Sequence, residues 1–164
     1  MTLDEAQLLF EFESWANARI FSALDSFPAE KLYEDMKSSF GSIHGTLVHI
    51  CAAKSVWIQR LNNEAAIKPL TTKDLPKYDD VKGKIKKIEA DYSKYISSLN
   101  YEKLNADISL GNSRGEVSTQ KIWMILQHIV NHSTYHRGQI ITMIRQAGGT
   151  TTNTDLINFY RQRK

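Results

Sequence analysis

Two histidines four residues apart, His132 and His136, interrupt the apolar stretch ILQHIVNHSTYHRGQI at residues 125–140. On a helix, residues at i and i+4 share a face with Cβ atoms about 5–6 Å apart. Imidazoles rising from there can converge on one ion at metal–nitrogen distances of about 2.0–2.1 Å. Ile122, Ile125, Ile129, His132, His136, Ile140 and Met143 follow one another at three- and four-residue steps. That continuous stripe aims both imidazoles at a core. His128 lies off the stripe, and eight helical residues place it about 12 Å along the axis from His136. All three on one helix therefore cannot share an ion, and a third ligand must come from another helix.

His49 is the candidate. It sits in TLVHICAAKSVWIQRL, apolar on nearly every side, where an imidazole needs a hydrogen-bond partner or a metal. Three histidines with coordination positions left over describe a catalytic type of metal site; structural zinc sites are closed by four protein ligands.

Several alternatives fall away. A protease His-Glu-x-x-His helix needs glutamate after the first histidine, and Ser133 stands there. A two-cysteine zinc finger needs two cysteines, and Cys51 is the only one. Two residues from His49, Cys51 diverges from it on a helix and reads as a small buried apolar residue. His44, near Gly41 and Gly45, reads as a surface or capping residue. No Asp or Glu occurs from Val117 to Thr154, so the His132/His136 helix carries no carboxylate base. Such a base would come from Glu11, Glu13, Glu89 or Asp91, or from metal-bound hydroxide.

The elements that must position these residues follow from periodicity. Four long helical patterns cover about 3–26, 42–62, 79–99 and 119–147. Phe27-Pro28 ends the first, Ser42 is a plausible N-cap for the second, and Gly148-Gly149 stops the fourth. Residues 63–78, with two of the three prolines, read as a long crossover loop that lets the second and third helices run parallel. Residues 105–118 alternate around Gly111-Asn112 and Arg114-Gly115, which permits a short hairpin. Residues 153–162 read as a short C-terminal helix. These elements fit an all-α four-helix bundle, with 1–164 as a single domain.

Composition agrees: 41% hydrophobic, 24% charged, net charge +3. The basic runs KGKIKK (82–87) and RQRK (161–164) read as solvated faces. Without a phosphate loop or a basic patch interleaved with aromatics, nucleic acid is not an expected partner. No apolar run reaches the ~18 residues of a membrane span. An acidic N-terminus is unlike a secretory signal, and one cysteine fits a reducing cytoplasm.

The stretches WANARIFSAL (15–24), GTLVHICAAKSVWIQRL (45–61), ILQHIVNHSTYHRGQI (125–140) and RQAGGTTTNTDLINFYR (145–161) resemble the DinB/YfiT-like superfamily. The resemblance implies an up-down-down-up four-helix bundle, often a homodimer. It implies a divalent metal, commonly nickel or zinc, held by three histidines, which by position are His49, His132 and His136. It implies functions such as S-transfer from low-molecular-weight thiols, bacillithiol among them; a metal-dependent hydrolase and a non-catalytic stress or sensor bundle are the alternatives. Asn17 matches a recurrent family feature, for which packing, or else hydrogen bonding behind the site, is the expected role. Arg137 and Gln139 are expected to face away from His136 toward a dimer or surface, Gly138 to allow close helix approach, and Trp57 and Tyr135 to serve in packing or at a pocket mouth.

Overall fold

A computed structural model describes residues 1–64, 67–111 and 115–163. Helix α1 (Leu3–Asp25) starts in a capping box. The Thr2 hydroxyl accepts from the Glu5 amide at 3.1 Å, and the Thr2 amide donates to the Glu5 carboxylate at 2.8 Å. A short 3-10 turn (Ala29–Leu32) follows Pro28. Helix α2 (Ile43–Leu61) is capped by Ser42, whose hydroxyl accepts from the Gly45 amide at 3.0 Å. Within the expected crossover loop, residues 65 and 66 lie outside the described residues.

Helix α3 (Tyr78–Ser97) is followed by a one-turn helix α4 (Tyr101–Leu104). The hairpin forms, as β1 (Asp107–Gly111) and β2 (Val117–Lys121), antiparallel and registered from Asp107 opposite Lys121 to Gly111 opposite Val117. Its tip residues Asn112 and Arg114 lie outside the described residues.

Helix α5 therefore begins at Ile122, three residues later than periodicity predicts, and runs to Gln146. Thr119 to Lys121 are claimed by the ladder, where the Thr119 hydroxyl meets that of Ser109 at 2.7 Å. At its far end α5 closes as expected. Gly148 takes φ +80°, and the amides of Gly148 and Gly149 donate to the carbonyls of Arg145 and Ile144. Helix α6 (Leu156–Gln162) lays Phe159 against Phe12 and Trp15 of α1.

Helices α1 and α2 each pack against α3 and α5 and sit diagonally across the bundle. Ring contacts pair Phe10 with Tyr92 and Phe21 with Tyr78, so α1 and α3 are antiparallel. His49 with His132, and Trp57 with His128, make α2 and α5 antiparallel as well. This is the up-down-down-up bundle, with a core of Phe10, Phe12, Ile20, Ile50, Ile88, Tyr92, Ile129 and Ile140 among others.

Three charges are sealed into that core. Glu13 is fully buried and pairs with Lys54 at 2.8 Å and Arg137 at 2.5 Å, both 1% exposed. The Asn17 carbonyl accepts from Arg137 at 3.0 Å, and its amide donates to Glu13 and Glu89 at 3.2 and 2.8 Å. Arg137 also donates to Thr134. Arg137 is thus a buried tie between α1 and α5, not the surface or dimer residue its position beside His136 implied. The reason lies in a second stripe on α5, Leu126, Val130, Ser133, Arg137 and Ile144, which is buried as well as the first. Of the two roles expected of Asn17, hydrogen bonding is the one it serves. Gly138 is exposed, and an added Cβ would meet nothing within 4 Å, so it permits no close helix approach within the chain.

Candidate metal centre

His49 from the middle of α2 meets His132 and His136 from the middle of α5. One ring nitrogen from each lies within 4.8 Å of the others. The Nε2 atoms of His49 and His132 are 3.1 Å apart, and the ring centroids of the three lie 4.5–5.0 Å from one another. Two nitrogens bound tetrahedrally to one ion at about 2.0–2.1 Å stand about 3.3 Å apart. The donor set therefore fits a borderline divalent cation that accepts imidazole. His136 is buried, while His49 and His132 are half-buried, so the cluster sits at the edge of the core with access to solvent.

Hydrogen bonding prepares His136. Its Nδ1 lies 2.8 Å from the side-chain oxygen of Gln139, which can only accept. The proton is thereby held on Nδ1 and the Nε2 lone pair is left for a ligand. Gln139, three residues on, thus lies on the same side as His136 and reaches back to it, against the expectation that it faces away.

His132 is held well below its ordinary pKa. Burial, then the neighbouring imidazoles His136, His49 and His128, push its pKa down to about 4, with Glu13 opposing weakly. Burial and His136 also lower His49. Both rings are therefore neutral at pH 7 and ready to bind a cation without losing a proton first. In metal-free protein, an NMR pH titration is expected to place the His132 midpoint near 4. The depressed value means the unfolded chain takes up this proton first, so the apo-fold loses stability as pH falls from about 6.5 toward 4. A midpoint at 6.5 would mean a wet, separated ring.

None of the candidate bases joins the three-histidine cluster among the described residues. Burial raises the Glu13 pKa, but Arg137 and Lys54 outweigh it and hold the carboxyl at about 2. Glu11 pairs with Arg163, Glu89 accepts from Asn17, and Asp91 lines a cleft of about 670 Å³ between α2 and α3. Cys51 is buried, and burial raises its thiol to about 11, which fits the packing role expected of it. His44 is not a surface residue: it is 4% exposed beneath the Tyr33 ring, and its Nε2 has no partner among the described residues. Burial lowers its pKa. The 3-10 turn and the end of the crossover loop cover it, and neither is visible as periodicity.

Around the histidines stand aromatic rings. Tyr135 is 66% exposed and meets His136 edge-on at 5.0 Å, which places it at the mouth and not in the core. Trp57 contacts His128 at 5.4 Å, and His128 lies 6.0 Å from His132. Sequence periodicity gave no sign of Phe40, which stacks on His49 from the loop before α2.

The profile of the DinB family matches residues 2–163. The chain belongs to the DinB family. It is 31% identical over 157 residues to Protein DinB of Bacillus subtilis strain 168, covering 93% of this chain and 91% of that protein. Among solved structures it resembles a conserved protein from Enterococcus faecalis (TM-score 0.67, 14% identity, 88% of this chain and 96% of that one). A DinB-like protein from Bacillus cereus ATCC 10987 superposes with TM-score 0.57 at 20% identity, over 88% of this chain and 94% of that one. These two likenesses carry the fold; the three-histidine cluster comes from this chain's own side chains. No helix among the described residues is long and apolar enough to cross a membrane.

Proposed function

We propose that this DinB-family chain is a metal-dependent thiol S-transferase in which His49, His132 and His136 hold a divalent ion, nickel or zinc, and a low-molecular-weight thiol is the co-substrate. The supporting observation is the convergence of three imidazoles, and of no fourth Cys, His, Asp or Glu among the described residues, on one half-open point. A divalent ion held there supplies Lewis acidity that lowers the pKa of a bound thiol or water.

The chain's own part is to orient and to exclude. Gln139 fixes the His136 tautomer, and Tyr135 borders the open side. In the transfer, the thiol proton leaves to solvent, sulfur bonds to the electrophilic carbon, and the leaving group departs with its electron pair. Transfer is favoured over hydrolysis because no carboxylate among the described residues joins the three histidines, and Glu13, the acid whose field reaches His132, is locked between two cations.

The test is consumption of a chromogenic alkyl or aryl halide by bacillithiol or cysteine. The expected result is turnover with zinc- or nickel-loaded protein and only the uncatalysed rate with metal-free protein or His49→Ala. If the metal raises the melting temperature but no thiol competes for it and no turnover appears, the chain is a non-catalytic metal-binding bundle.

A further inference from the structure

A metal-ligating histidine ordinarily has its second nitrogen fixed by an acceptor. His136 has one in Gln139. His49 does not: among the described residues no hydrogen bond holds its Nδ1. In that place the Phe40 ring lies flat on the His49 ring, with centroids 3.8 Å apart and an interplanar angle of 16°. The same phenyl ring meets His136 edge-on at 5.4 Å.

The segment carrying Phe40 is built to hold that ring still. The Gly41 amide donates to the Ser38 carbonyl at 3.0 Å, and the Met36 amide to the Gly41 carbonyl at 2.7 Å. Gly41 takes φ +74°, which closes the turn. The Ser42 amide then donates back to the Phe40 carbonyl at 2.9 Å. The first turn of α2 packs directly on that carbonyl, since a Cβ on Gly45 would overlap it.

We propose that Phe40 is a positioning residue for the three-histidine centre: its stacked ring sets the angle of His49 in the role an acceptor plays elsewhere. The inference rests on metal binding by the three histidines. It goes further in assigning a residue that is itself no ligand.

The test measures zinc dissociation constants by chelator competition, zinc release rates, and the visible spectrum of the cobalt(II) form. Loss of a ligand-orienting group typically costs about 10- to 100-fold in affinity, and that is the expected rise in dissociation constant for Phe40→Ala and Phe40→Leu. Phe40→Leu keeps apolar bulk but cannot stack, so its metal-free melting temperature is expected to stay close to wild type while affinity falls and the cobalt spectrum changes. Phe40→Tyr, which restores the stack, is expected to restore affinity and spectrum. Wild-type affinity and spectrum in Phe40→Leu would overturn the proposal, as would a Phe40→Tyr protein no better than Phe40→Leu. Failure of wild-type protein to bind zinc at all would overturn the metal reading itself, a separate result.

Discussion

Glu13→Gln is expected to destabilise the fold by about 3–5 kcal/mol, the usual cost of removing one partner from a buried ion pair. For a chain of this length that is a fall in melting temperature of roughly 6–20 °C. The cause is what remains: Lys54 and Arg137, each 1% exposed, would face one another in the core with no anion between them. Lys54→Met is expected to cost clearly less, because it leaves Glu13 and Arg137 as a matched pair at 2.5 Å and removes the excess positive charge. The ordering of these two variants in urea denaturation is the check; equal effects would mean that size, not charge, governs the site. The same carboxylate sets an acid limit. Its folded pKa of about 2 lies below the ordinary carboxylate value of 4.5, so the stability it contributes is complete above pH 4.5 and is lost as pH falls toward 2.

The second large effect concerns the metal. With free zinc at a hundred times its dissociation constant, binding to the folded state alone adds about 2.7 kcal/mol. That corresponds to a rise in melting temperature of roughly 5–10 °C for a chain of this size. His132→Ala is expected to abolish the rise, because it removes the nitrogen 3.1 Å from His49 and leaves two donors from different helices. The metal-free melting temperature of the variant should change little at pH 7, where the wild-type ring is already neutral, and should gain on wild type as pH falls from about 6.5 toward 4. Calorimetry with and without zinc separates the two. A zinc-dependent shift retained in full by His132→Ala would place the ion elsewhere.

Much of this was legible in the chain. Periodicity located the four long helices to within three residues at their ends, and it put His132 and His136 on an inward face, because a core-facing helix writes its burial into three- and four-residue steps. His49 was found by contrast with its apolar neighbours. Arg137 was misplaced because α5 is covered on two sides, by α1 as well as α2, and one stripe cannot report both. Periodicity starts α5 too early because the polar run Ser118–Gln120 suits a strand as well as a first helical turn. Phe40 and His44 depend on irregular segments and on loops folding back over α2, for which no sequence period exists. Gln139 follows His136 by one helical step and could have been read as its acceptor from i, i+3 spacing alone.

The most direct measurement is X-ray absorption of zinc-loaded protein, purified without an affinity tag, beside its His49→Ala and His132→Ala variants. The account predicts one ion per chain with three imidazole nitrogens at about 2.0–2.1 Å, and loss of ion or of one nitrogen in each variant. Substoichiometric zinc in an oxygen-only shell, unchanged by either substitution, would contradict it.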